Sequence, residues 1–235
     1  MVKKKRVPIV FEDDAVIVCE KPAGMPVQSD HTRDMDVLTI LKHHIFEEQN
    51  SEEEPYLAVV HRLDRPVGGL MVLAKTKEAA ANLSEQIQKF EFEKNYQAVV
   101  CGNLREDFGT FEDYLLKNGK TNKTEVVKAG TPGARKAELD YELIDCIETK
   151  EGILTWVLVI LHTGRHHQIR VQLAGAGYPL WGDQRYNRDA RPGQQIALWA
   201  CSLEIEHPTL HTRLRFTSTP SGGVWKDFSD ILPAA

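Results

Sequence analysis

Residues 59–76 read VVHRLDRPVGGLMVLAKT, and the succession of residue types here sets the architecture around them. An apolar pair, Val59-Val60, leads into four ionisable groups within five residues: His61, Arg62, Asp64 and Arg65. A Gly-Gly step and the apolar run Leu70-Met71-Val72-Leu73 follow. The pattern is strand, short polar loop, strand. Charges held between apolar shoulders are costly unless paired. The loop is therefore either a corner closed by a local ion pair or a place where the Asp64 carboxylate is held for chemistry.

Working outward, residues 7–11 and 15–19 read as strands separated by the turn-like Glu12-Asp13-Asp14, and KPAGMP (21–26) reads as a loop. Residues 36–46 carry apolar side chains at helical spacing with Asp36 as N-cap, and residues 47–55 form an acidic linker. Strands at 56–60 and 70–74 flank the polar loop. Residues 77–90 form the clearest helix, with Thr76 as N-cap and Ala79, Leu83, Ile87 and Phe90 on one face. Beyond it, residues 95–101, 110–116, 136–147 and 153–161 read as strands, 119–133 as a mobile loop insertion and 165–174 as a short helix. Extended runs at 196–205 and 214–217 complete the chain. Strands that follow one another directly predict an α+β fold: a large mixed, mostly antiparallel sheet flanked by helices and loops. No repeat and no clear boundary divides the chain, so one domain over 1–235 is expected.

The 235 residues carry a net charge of −5. That balance argues against a protein basic all over, but a nucleic acid feels the local field. Acid gathers at 47–54 and at Glu91/Glu93, base at 3–6, Arg62/Arg65 and Arg165/Arg170. The four cysteines, Cys19, Cys101, Cys146 and Cys201, are far apart with no CxxC pair, which fits a reducing cytoplasm and gives no sign of a disulfide framework. No apolar run is long enough to span a bilayer, and the basic start lacks the apolar core of a signal peptide.

Four stretches taken in order make a more specific pattern: KPAGMPVQ (21–28), HRLDRPVGGLMVLAKT (61–76), KNYQAVVCG (94–102) and TGRHHQIRVQLAGAGYPLWGD (163–183). Together they resemble the RluA-type family of RNA pseudouridine synthases, over roughly residues 7–217. The resemblance implies a pseudouridine synthase fold with a central cleft, and isomerisation of specific uridines in structured ribosomal or transfer RNA. Neither cofactor nor metal is called for. It assigns catalysis to Asp64, Tyr96 and Arg165, with Asp64 acting at the ribose, Tyr96 stacking on the extruded uracil and Arg165 pairing with Asp64. Substrate contacts fall to Arg62, which enters the space left by the base, and to Leu198, Arg65 and His61. If the loop is extended, residues 62 and 64 point the same way. Lys21 and the Pro22–Pro26 loop take a mainly structural role. The small N-terminal RNA-binding domain of some relatives is not expected, and nothing demands more than a monomer.

Two departures stand out: Val67-Gly68-Gly69 replaces the usual x-Thr-Ser-Gly step, and Trp199 stands where the family usually has histidine. The first removes hydroxyls that brace the loop and loosens it at Gly68. Two rivals remain: an RNA-binding module that retains the scaffold without catalysis, and a metal-dependent hydrolase built on His162, His166 and His167. The spacing of these histidines lacks a third ligand signal.

Overall fold

A computed structural model describes residues 6–29, 32, 34–49 and 53–228, the side chain of Gln49 excepted. The basic residues 3–5 and part of the acidic linker, 50–52, lie outside the described residues. The chain divides into two compact units, 1–94 with 200–219, and 95–199 with 220–235.

In the first unit, β1 (Ile9–Glu12), β2 (Val16–Lys21), β4 (Gly68–Ala74) and β10 (Leu198–Glu206, from Ala200 onward) are neighbours in that order. The short β3 (Ala58–Val59) pairs with β4, and β11 (Arg213–Thr217) pairs with β10. Strand β2 runs antiparallel to β4 from Val16 opposite Ala74 to Lys21 opposite Gly69. Flanked on both edges, β4 is buried along its whole length, the reason that its sequence is continuously apolar and not alternating. Helix α1 (Val37–Gln49) starts at Asp36, whose Oδ1 accepts the Thr39 amide at 2.8 Å. Helix α2 (Lys77–Lys89) starts at Thr76, whose hydroxyl accepts the Ala79 amide at 3.0 Å.

The far end of α2 differs from the periodicity. Phe90 is the C-cap, in the left-handed region and 69% exposed, while Gln86 takes the inward position. Its amide bonds both backbone groups of Glu206, donating to the carbonyl at 2.8 Å and accepting from the amide at 3.0 Å. A two-ended backbone bond outweighs apolar spacing for a side chain that faces a strand.

In the second unit the strand order is β5 (Glu93–Cys101, from Asn95), β9 (Gly152–Leu161), β8 (Arg135–Thr149), β6 (Phe108–Asn118) and β7 (Lys123–Val127), with antiparallel registers throughout. Helix α3 (Gln168–Gly175) follows β9, and a 3₁₀ turn (Gly223–Phe228) seats Trp225 and Phe228 edge-on to Trp156, with ring centroids 5.8 and 5.6 Å apart. The middle of the stretch expected to be a mobile loop, 119–133, is ordered differently. Residues 123–127 form a strand, joined to β6 through the turn at 119–122. The missed signal is the β-branched content of KTEVV, with Thr124, Val126 and Val127, of which Thr124 is buried. Helix α3 also starts three residues later than expected, because His167 holds a left-handed φ of 54° that ends the preceding turn.

Backbones approach closely at Gly69, whose φ of +113° suits only glycine. A Cβ there would lie 2.5 Å from the Ala200 nitrogen and closer still to its carbonyl oxygen. Gly69→Ala is therefore expected to cost at least about 3 kcal/mol of stability, read as a lowered urea midpoint by circular dichroism.

Candidate active site

The loop between β3 and β4 alternates inward and outward. His61 and Leu63 are buried, Arg62 is exposed, and Asp64 is half-buried. The Asp64 carbonyl accepts the Val67 amide at 3.0 Å, closing a tight turn that delivers the chain into β4. Arg62 and Asp64 thus share the outer side of the loop, as an extended reading requires.

What holds this loop is Lys21. Its side chain is 0% exposed, and its ammonium donates to the carbonyls of Pro22 at 3.0 Å, Met25 at 2.7 Å and Arg65 at 3.0 Å. The Gly24 amide donates to the same Arg65 carbonyl at 2.9 Å. The KPAGM loop therefore grips the residue next to Asp64. Burial pulls Lys21 down to about 7, opposed by the Asp64 charge, which favours the ammonium.

Two residues expected to contact substrate have structural partners. Arg65 turns toward the KPAGM side: its Nε donates to the Gly24 carbonyl at 3.2 Å, one terminal nitrogen to the Thr32 hydroxyl at 2.9 Å, and the other pairs with Asp34. His61 lies inside, its Nε2 accepting the Val72 amide of β4 at 3.1 Å and its ring edge-on to Phe92 at 5.0 Å. Burial pushes its pKa well below the ordinary histidine value, so it is a neutral brace. Its Nδ1 has no hydrogen-bond partner among the described residues. The altered step after the loop is not loose either: Gly68 and Gly69 are buried within β4.

In the second unit, Tyr96 is 6% exposed on β5, opposite Val159 of β9. Leu198, the first residue of β10, is 5% exposed. Trp199 packs against the core around Val99, Leu154 and Trp156, so the departure from histidine is a packing residue. Arg165 precedes α3 in a turn built by polar side chains. Gln168 Oε1 accepts the Arg165 amide at 2.9 Å and the Thr163 hydroxyl at 2.8 Å, and its Nε2 donates to the Glu138 carbonyl at 3.1 Å. The Arg165 Nε donates to the Lys136 carbonyl at 2.9 Å, aligning the guanidinium along β8.

Sequence reasoning passed over the deeper support of this turn. Arg170 and Asp183 form a buried two-point ion pair at 2.8 and 2.7 Å, with the guanidinium 5.3 Å from the Tyr186 ring. A charged residue between Ile169 and Val171 on a buried helix was the available signal. The three histidines considered for metal take separate partners: His162 pairs with Asp140, His166 with Thr124 and His167 with Tyr186. Among the described residues, the group whose ligand atoms could close on an ion is Glu12, His44 and Glu48, within 4.8 Å of one another. Lys75 sits 2.6 Å from Glu12 there and supplies the counter-charge.

Lys21→Met is expected to remove one donor from each of three carbonyls and cost about 2–4 kcal/mol in a urea titration. In the wild type, the unfolded lysine holds its proton up to about 10.5 and the folded one to about 7, so unfolding takes up a proton between these values. Stability should accordingly rise with pH across that window, and this rise should be absent from Lys21→Met.

The RNA pseudouridylate synthase family model matches residues 15–175. Ribosomal large subunit pseudouridine synthase D of Pseudomonas aeruginosa is 33% identical, the match covering 92% of this chain and 69% of that one. Ribosomal large subunit pseudouridine synthase C of Haemophilus influenzae is 29% identical, covering 90% and 64% respectively. Among solved structures, Human RNA Pseudouridylate Synthase Domain Containing 1 superposes with a TM-score of 0.74 at 21% identity, over 92% of this chain and 84% of that one, which speaks for the fold. With the family model spanning both the Asp64 loop and the Arg165 turn, the chain belongs to the RluA-type family of RNA pseudouridine synthases, isomerases by class.

Proposed function

We propose that this protein converts specific uridines of structured RNA, ribosomal RNA before transfer RNA, to pseudouridine without a cofactor, with Asp64 as the catalytic carboxylate. The observation that carries the reading is the grip on the Asp64 loop. A buried lysine and a glycine amide converge on the Arg65 carbonyl, which is an investment of buried polar groups in the position of the neighbouring carboxylate. The names of the relatives, which act on the ribosomal large subunit, favour ribosomal RNA.

In this reading the target uridine leaves its stack, at a cost of a few kcal/mol. Arg62, on the exposed side of the loop, fills the vacated space. Asp64 acts at the ribose, by attack on C1′ or removal of the 2′ proton, while the N1–C1′ bond breaks. The uracil turns over, C5 bonds to C1′, the proton leaves C5 and N1 gains one, so atoms balance with no co-reactant. Tyr96 lies against the uracil and serves the C5 proton, Leu198 supplies apolar contact, and Arg165 takes the pairing with the catalytic carboxylate that the family resemblance assigns. His61 and Arg65 support the loop.

RNA labelled with tritium at uridine C5, taken from cells lacking this gene, releases one tritium per isomerisation. Wild-type protein is expected to release it, and Asp64→Asn to fall at least about a thousandfold while keeping its circular dichroism spectrum. Turnover by Asp64→Asn near the wild-type rate would remove Asp64 from the mechanism. RNA binding with no release by wild type would instead identify a binding module.

A further inference from the structure

Glu12, His44 and Glu48 meet within the first unit, their ligand atoms within 4.8 Å of one another. His44 and Glu48 lie one turn apart on α1, so their side chains leave the same face of the helix. Glu12 is the last residue of β1 and faces them from the sheet. The His44 Nε2 stands 2.8 Å from Glu12 Oε2 and 3.5 Å from Glu48 Oε2. A neutral imidazole offers at most one proton at that nitrogen, so it serves one carboxylate and not both. Among the described residues Glu48 has no other ionic partner, and Lys42 on the same helix is taken by Glu54 at 2.6 Å.

Charge and spacing both suit a divalent ion. Lys75 bonds Glu12 Oε1 at 2.6 Å and leaves Oε2 turned toward His44. Two glutamates against one lysine then leave a negative charge in excess when His44 is neutral. Donors about 2.0–2.2 Å from a four-coordinate ion stand about 3.3–3.5 Å apart. The His44–Glu48 distance already matches that edge, and the His44–Glu12 distance opens when an ion displaces the shared proton. The supports behind the ligands are fixed. Glu12 is held in the β1–β2 ladder opposite Ile17, and the Lys75 amide donates to the Ala15 carbonyl in the turn of that hairpin at 2.8 Å. Leu41 and Ile45 are buried beneath α1, which sets the face that His44 and Glu48 present. Ligands oriented in this way by their neighbours are ready for an ion before it arrives.

We propose that Glu12, His44 and Glu48 form a zinc site that clasps the end of α1 to the β1–β2 hairpin, with water in the fourth position. The site is structural and does not depend on the isomerase reading. A mixed set of one imidazole and two carboxylates suits zinc better than magnesium, which takes oxygen ligands in octahedral geometry. At the start of α1, the Val37 and Leu38 amides donate to the carbonyls of Pro26 and Val27, each at 3.0 Å. The ion therefore fixes the far end of a helix whose beginning is bonded to the stretch that grips the Asp64 loop.

The test titrates zinc into the whole chain, stripped of metal by dialysis against a chelator, at about pH 7.5, where histidine is mostly neutral. Calorimetry is expected to show one ion per chain, and cobalt in its place to give the visible absorption of a four-coordinate centre. H44A and E48Q should each weaken binding at least about tenfold, while H43A, which removes the adjacent histidine, should not. Glu48 is largely exposed, so E48Q keeps the fold and the test does not hang on H44A alone. At about a hundredfold excess over its dissociation constant, zinc should raise the folding equilibrium constant up to about a hundredfold, read as a higher urea midpoint. That rise should shrink at least about tenfold in E48Q and be absent with magnesium. No heat of binding and no shift of the midpoint with zinc would overturn the proposal. So would binding that H44A and E48Q leave unchanged, which would put the ion on other surface histidines.

Discussion

The buried ammonium of Lys21 is the constraint on which the Asp64 loop depends. A fully buried charge is tolerated only where its protons are taken up, and all three have carbonyl acceptors. Two acceptors belong to the loop that follows β2, and the third belongs to Arg65, across 44 positions of sequence. Displacing either loop would leave part of the ammonium unsatisfied in a low-dielectric interior, so the two loops hold one arrangement together. Opposite Lys21 on β4 stands Gly69, pressed against the Ala200 backbone. A long side chain that bends back to its own loop thus lies across from a residue that tolerates none.

The second unit uses the same device with different groups. The turn before α3 contains a glycine and a left-handed His167, and has little apolar matter to define it. Gln168 satisfies one amide, one hydroxyl and one carbonyl with a single side chain, and the Arg170–Asp183 pair anchors the helix behind it. In both units the candidate site residue lies on a short loop, while the rigidity is supplied by buried polar side chains one or more residues away. The positions doing this supporting work are Lys21, Gln168, Arg170 and Asp183.

These supports account for much of what was and was not legible beforehand. Elements with local signals read correctly: the Thr76 and Asp36 caps are within three residues of the amides they accept, and the apolar run of β4 announces a strand buried on both faces. Elements decided by distant partners did not. Gln86 reads as a polar residue on a helix whose apolar face should include Phe90, and only Glu206, 120 positions away, gives it an inward place. Strand β7 reads as a loop because its inward residue is a threonine, and its partners, His166 and Tyr186, come from other parts of the chain. His61 and Arg65 read as substrate contacts because ionisable residues beside a candidate carboxylate invite that role. Burial behind β4 and the partners from the KPAGM side give them another.

The sequence by itself determined the element types, the α+β class, the family and the identity of the candidate carboxylate, since each is written in local order: periodicity, caps, and four motifs in fixed succession. Only the tertiary structure decided which charged residues near that carboxylate are structural and which face outward. It also decided that the lysine-rich segment after β6 is a hairpin docked on the Arg165 turn. The physical reason is common to all of these. The energy of a polar or charged side chain is set by whether its hydrogen-bond partners meet it in space, and those partners come from segments that spacing along the chain does not connect.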